Sequence, residues 1–260
     1  MSERMYFDTH AHYDDAAFEK DYTNIIESFP RYGIGRCTDV ASTMESVDRV
    51  LFLAHTFPNV YAALGVHPSE CRDLTEGFLL DMEKKCADPK VVAVGEIGLD
   101  YHFPEEDPAP EVQKKWFVRQ LDLAAKLQLP VIIHSRDAAK DTMDILRDRN
   151  LSLAGGVIHC YSYSTEQARE YAAMGFFIGI GGVVTFKNAK KVRDVVKNIP
   201  LTSIVLETDC PYMAPVPHRG ERNSSLFLPL VAQAVAELKG ISPEEVVEVT
   251  EHNAERLYNL

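Results

Sequence analysis

Short runs rich in valine and isoleucine alternate along the chain with longer segments whose apolar positions recur every three or four residues. Eight runs predict strands: residues 6–10, 34–40, 60–66, 91–97, 131–134, 157–160, 176–180 and 204–207. Most lack the polar alternation of a half-exposed strand, which predicts parallel strands covered on both faces. Residues 111–128 form the longest amphipathic segment between them, and 43–56, 74–86, 138–150 and 165–174 are others. Strand and helix in strict alternation predict right-handed βαβ units.

Eight such units close most economically into one (β/α)8 barrel of the TIM type, with a doubly wound open sheet as the alternative. A barrel of this kind takes about 250 residues as one domain, and no Pro/Gly/Ser linker divides the 260 residues here. A single unit over 1–260 is the expectation. Near its end, Ser242-Pro243-Glu244-Glu245 has capping-box order with proline at the first helical position, which predicts a closing helix packed outside the barrel.

Metal-type side chains fall at the C-terminal ends of five of these strands: His10 and His12, then Glu96, His134, His159 and Asp209. His10 and His12 are two apart, so on a strand both imidazoles point the same way. Imidazole and carboxylate suit zinc or another divalent transition metal. Barrel enzymes place their chemistry at this end of the strands. A barrel also closes its first strand on its eighth, making His10, His12 and Asp209 neighbours, whereas an open sheet cannot gather five such strands around one centre.

The formal net charge of −12 weighs against a protein that coats long nucleic acid, since such binders carry a broad basic surface. A local basic rim remains compatible with it. Lys187, Lys190, Lys191, His218, Arg219 and Arg222 all follow the seventh and eighth strands. Arg136 offers a forked guanidinium to a phosphate two residues after His134, and His67 is a further metal-side or substrate contact. Asp137 reads as a helix N-cap. Gly95 and Gly98 flank Glu96 and leave room for metal and substrate, while Lys90 lies on the wrong side of its strand for a bridging role. His55, His102 and His252 read as structural.

No apolar run is long enough to cross a bilayer, and Asp8 and His10 interrupt the first residues before a signal-peptide core forms. The five cysteines include no Cys-x-x-Cys pair. Cys37, Cys160 and Cys210 read as small packing groups, and a reducing cytoplasm is the expected location. No membrane partner is expected. A monomer is the default.

Several motifs in order carry a family resemblance: Asp8-Thr9-His10-Ala11-His12, Gly65-Val66-His67-Pro68, Gly95-Glu96-Ile97-Gly98-Leu99-Asp100-Tyr101 and Ile133-His134-Ser135-Arg136. They continue with His159-Cys160-Tyr161, the segment Val184 to Ala189, Glu207-Thr208-Asp209-Cys210-Pro211 and the segment Asn253 to Leu257. Together these resemble the TatD family of amidohydrolase-like, metal-dependent hydrolases, several of them deoxyribonucleases. The resemblance implies two divalent metal ions (zinc, manganese or magnesium) bridged by Glu96. His10, His12 and Asp209 would hold one, His134 and His159 the other. DNA ends are the implied substrate. Two cations about 3.5–4 Å apart activate a shared water and clamp a phosphodiester, with Asp209 as the general base beside Glu96. Where the family often continues Arg-Asn with Glu-Pro, this chain reads Ser224-Ser225 after Arg222-Asn223, so a loop carboxylate is missing. A hydrolase of small esters, lactones, amides or phosphoesters built on the same ligands is a second reading. A catalytically silent metal-binding interaction protein is a third.

Overall fold

The computed structural model describes residues 4–149 and 153–260. Eight parallel strands form one sheet in sequence order: β1 (Tyr6–Ala11), β2 (Ile34–Val40), β3 (Val60–Leu64), β4 (Val91–Asp100), β5 (Val131–Arg136), β6 (Gly156–Ile158), β7 (Phe176–Ile180) and β8 (Ile204–Leu206). An isolated parallel bridge between Ala11 and Cys210 joins the first strand to the segment after the last. Hydrogen bonds from His12 N to Cys210 O (2.8 Å) and from Asp209 N to His10 O (2.9 Å) secure the seam. The sheet is a barrel, not the open alternative.

Helices cover its outside: α1 (Tyr22–Ser28), α2 (Ser46–Thr56), α3 (Glu76–Lys85), α4 (Pro110–Leu127), α5 (Ala139–Arg149), α6 (Thr165–Ala173), α7 (Lys190–Asn198), α8 (Leu228–Lys239) and α9 (Pro243–Tyr258). Their starts follow local chemistry. Thr75 and Ser164 cap α3 and α6 by accepting backbone N–H groups of Phe78 and Gln167, and proline opens α4 and α9, where its missing N–H has no helical partner to lose. The helical segment expected over 138–150 corresponds to α5; Asn150 lies outside the described residues, as do residues 1–3. No single helix among the described residues is long and apolar enough to cross a membrane.

Apolar side chains from all eight strands make a floor: Phe7, Val40, Ala63, Val92, Ala93, Ile132, Val157, Phe177 and Val205 belong to one buried cluster. Ala254, Leu257 and Tyr258 of α9 complete it. The closing helix therefore packs on the outside of the barrel as expected, covering its N-terminal mouth. Its Tyr258 hydroxyl donates to Thr9 O at 2.7 Å, and Asn253 Nδ2 reaches the carbonyls of Leu201 and Ile204 at the foot of β8. Ser242 caps it as the sequence predicted, accepting from Glu245 N. The same mouth holds Lys90, whose ammonium donates to the carbonyls of Pro58 and Val60 at 2.9 Å each.

The glycines beside Glu96 make room for neighbouring strands, not for a metal or substrate. A Cβ on Gly95 would sit 2.5 Å from Ile132 Cβ, and one on Gly98, whose φ is +147°, only 1.9 Å from His134 O. Gly98→Ala is expected to destabilise by at least about 1–3 kcal/mol, the range for forcing extra atoms into a packed interior. An unchanged denaturant midpoint would refute this account of the β4–β5 contact.

Candidate metal centre

The C-terminal ends of the strands aim their polar side chains into one cluster above the apolar floor. His10 lies near the end of β1 and His12 just beyond it, and their Nε2 atoms are 3.0 Å apart. Glu96 in β4 is 3% exposed and divides the histidines between its two oxygens. Oε1 lies 2.7 Å from His159 Nε2 and 2.8 Å from His134 Nδ1, whereas Oε2 lies 3.4 Å from His10 Nε2 and 3.8 Å from His12 Nε2. Asp209 Oδ1 is 3.5 Å from His12 Nε2 and 3.7 Å from His10 Nε2. All six metal-type residues singled out in the sequence thus meet at one place.

Their arrangement depends on backbone beyond the strands. β6 ends at Ile158 and β8 at Leu206, so His159 and Asp209 stand on the loops that follow. Cys160 and Asp209 take left-handed φ values of 43° and 56°, a conformation that non-glycine residues adopt rarely and chiefly where surrounding contacts impose it. The backbone N–H of Asp209, bonded to β1, is one such contact.

Burial works to lower the His12 pKa, but the carboxylates of Asp209, Glu96 and Asp14 outweigh it and push the ring up to about 10. His159 shows the same balance, raised to about 9 mainly by Glu96 against burial. His10 goes the other way, to about 4, through burial and the neighbouring His159. Burial opposes ionisation of Glu96 and Asp209, yet the surrounding imidazoles hold Glu96 well below, and Asp209 below, the usual carboxylate range. These are the forms a cation needs from its carboxylate ligands. Nitrogen atoms 3.0 Å apart facing shared carboxylate oxygens also fit a positive charge between them. Groups within reach of one another include His10 with His12 and Glu96, and His67 with Glu96 and His134.

Cation uptake must displace the protons that His12 and His159 carry at pH 7, because only the neutral ring ligates. Loading is therefore expected to release protons, with affinity rising as pH rises toward 9. Calorimetric titration with zinc in two buffers of different ionisation heat measures this release. Identical heats in both buffers would sink the charge assignment.

The sequence-based candidates outside the cluster separate. His67 follows β3, with Nε2 3.8 Å from Glu96 Oε1 and Nδ1 bonded to Ser69 Oγ. Arg136 ends β5, lines the cavity over the cluster and packs on the Phe103 ring at 5.3 Å. Arg222 does not reach the cavity. Its guanidinium pairs with Asp21 at 2.6 Å, donates to Ala17 O and covers the Phe18 ring, so it fastens the late loop to the segment after β1. Of the remaining basic residues, Arg219 lines the cavity over Phe186, whereas His218 stacks on Phe227 and Lys187, Lys190 and Lys191 do not line it. Asp137 is not the cap of α5. It has φ 54° and pairs with His102 at 2.7 Å, two residues before the helix starts.

Several polar contacts were not read from the sequence. Asp100 Oδ2 lies 3.0 Å from His134 Nε2, fixing which ring nitrogen faces Glu96. Gln113 holds Asp100 by both backbone groups. Asp100 follows Glu96 by an even interval on one strand, a signal of a shared face that was present to be read. Glu207 is fully buried beside His159, and burial pushes it up to about 8. Ser225, one of the two serines that stand where the family often has Glu-Pro, donates to Asp8 Oδ2 at 2.6 Å, while Thr208 Oγ1 donates to the same oxygen. That loop is part of the β1–β8 seam.

Comparison with known proteins agrees with this geometry. A family model described as "TatD related DNase" matches residues 7–259. The chain is 40% identical over 257 residues to YabD of Bacillus subtilis (strain 168), described as an uncharacterized metal-dependent hydrolase, covering 98% of this chain and 100% of that protein. YcfH of Escherichia coli (strain K12), with the same description, is 36% identical over 256 residues, covering 97% and 95%. The crystal structure of the TatD homologue YjjV from Escherichia coli K12 superposes with a TM-score of 0.91 at 34% identity, covering 98% of each chain. Fold, clustered ligands and relatives agree that this chain belongs to the TatD family and is a metal-dependent hydrolase.

Proposed function

We propose that the protein hydrolyses phosphodiester bonds at DNA ends, using two divalent cations held by the cluster. The observation that carries the substrate class is the pair Arg136 and Arg219. Both line a cavity of about 1240 Å³ shared with the cluster. Each lies over an aromatic ring, and neither has a carboxylate within ion-pair distance among the described residues. In a chain of net charge −12, unpaired guanidiniums beside a hydrolytic centre suit a phosphate-bearing substrate. The description of the matched family points the same way.

Glu96 is the residue suited to join the two ions, because its Oε1 and Oε2 face different histidines. His10, His12 and Asp209 would hold one, and His134 and His159 the other, with His67 beside the second. The nitrogen-rich donor set favours zinc, with manganese and magnesium the more oxygen-seeking comparisons. Bound there, the cations would polarise the phosphate and lower the pKa of water. Asp209 would take the proton from the attacking water at a carboxylate oxygen, as general base. Arg136 would hold a phosphate oxygen through its guanidinium, and the apolar floor excludes water from beneath.

Turnover of an end-labelled single-stranded oligonucleotide, compared with an aryl phosphodiester and an aryl ester, tests this reading. Arg136→Ala is expected to raise KM for the oligonucleotide about tenfold, equivalent to one charge-assisted hydrogen bond of about 1.4 kcal/mol. Arg222→Ala should leave KM unchanged. Turnover of the ester without any of the oligonucleotide would replace the nuclease by a small-molecule hydrolase.

A further inference from the structure

Metal-binding histidines generally have the ring nitrogen remote from the metal anchored by a carboxylate or carbonyl, which fixes tautomer and orientation. Two of the four histidines here have such an anchor. His12 Nδ1 lies 2.8 Å from Val40 O, and His134 Nε2 lies 3.0 Å from Asp100 Oδ2. The other two do not. His10 Nδ1 and His159 Nδ1 are both buried without a hydrogen-bond partner. Their rings stack on each other, 4.1 Å between centroids and 12° from parallel.

A third unsatisfied group lies against this pair. Glu207 has no exposed surface. Its Oε1 accepts the Cys160 N–H at 2.5 Å, and its Oε2 has no partner. Glu207 Oε1 is 3.8 Å from His159 Nδ1. His10, His159 and Glu207 each bring one ligand-type atom within 4.8 Å of the other two. Space for the carboxylate is built into β7, since a Cβ on Gly179 would lie 2.4 Å from Glu207 Oε2. Three buried polar atoms without partners destabilise the fold, a cost that a shared contact removes.

We propose that Glu207 is the common positioning carboxylate of His159 and His10, accepting from the Nδ1–H of each, directly or through one water. The proposal rests on the reading that the cluster holds two cations. His10 and His159 belong to opposite oxygens of Glu96, so one buried carboxylate would steer a ligand of each ion and link their affinities. Glu207 is a positioning residue, since its side chain has no exposed surface through which to meet a substrate. Glutamine in its place keeps one oxygen, which the Cys160 N–H claims, and turns an N–H₂ donor where the second carboxylate oxygen stood, so the two ring N–H groups no longer share a carboxylate.

The test is zinc affinity by competition with a chromogenic chelator, together with the histidine ring ¹⁵N–H signals of the same preparations. Glu207→Gln is expected to weaken both zinc sites about 10–100-fold, the usual effect of losing an outer partner, and to shift the His159 Nδ1–H signal. Gly179→Ala keeps the carboxylate but displaces it. It should weaken zinc in the same direction, which covers the case in which Glu207→Gln fails to fold. Folded variants that bind zinc like the wild type and leave the ring signals in place would overturn the proposal. Wild type that takes up no zinc would defeat the two-ion reading instead, and an unchanged His159 signal in Glu207→Gln would still refute the Glu207 contact.

Discussion

Asp209→Asn is expected to cut turnover by about 10²–10⁴-fold, the contribution of a positioned general base, while thermal stability changes little. Asparagine is among the few residues that tolerate the left-handed backbone Asp209 adopts at φ 56°, so the loop should keep its path. What disappears is the negative charge. Asp209 Oδ1 faces His12 Nε2 at 3.5 Å and His10 Nε2 at 3.7 Å, and an amide can neither take a proton nor ligate as a carboxylate. Losses of activity and of melting temperature in proportion would mark Asp209 as structural.

Glu96→Gln should have the other large effect. The carboxylate places one oxygen within 2.8 Å of two imidazoles and offers its second oxygen to another two. Glutamine retains one oxygen and turns an N–H₂ toward the other set. Metal stoichiometry is expected to fall from two to one. Turnover should fall by more than about 100-fold, beyond the loss from removing an outer partner alone. Equilibrium dialysis with zinc, read beside turnover, measures both, and two ions retained at full rate would contradict the bridging role.

Much of this fold is legible because strand burial and ligand order reinforce each other. The runs 34–40 and 176–180 coincide with β2 and β7. Elsewhere pairing with neighbours, not apolarity, sets where a strand stops. β3 ends at Leu64 although Val66 continues the run, and β4 continues through Gly98 to Asp100 because Leu99 and Asp100 pair with Ser135 and Arg136. His159 and Asp209 lie past their strands, and local alternation does not place loop residues. Their convergence on His10 could be anticipated only from barrel closure.

Residues whose roles depend on distant partners stayed hidden. Arg222 shares its charge with any phosphate-binding arginine, and only the fold brings it to Asp21, 201 positions away. Glu207 stands two residues from Asp209, yet its meaning comes from the Cys160 N–H, 47 positions earlier. The role of α9 depends on the barrel floor it meets, where Leu257 and Tyr258 share a buried cluster with residues of all eight strands. An amphipathic pattern reports that a helix has an apolar face, not what that face covers.

The proposed activity of this cluster is metal-dependent phosphodiester hydrolysis. Its most direct test is shortening of end-labelled single-stranded DNA by chelator-stripped protein, with Zn²⁺, Mn²⁺ or Mg²⁺ restored separately and Asp209→Asn run in parallel. Stripped protein is expected to shorten nothing, wild type to recover shortening with at least one ion, and the variant to show none. Shortening that persists in the variant, or wild type that binds metal and leaves the DNA intact, would contradict it.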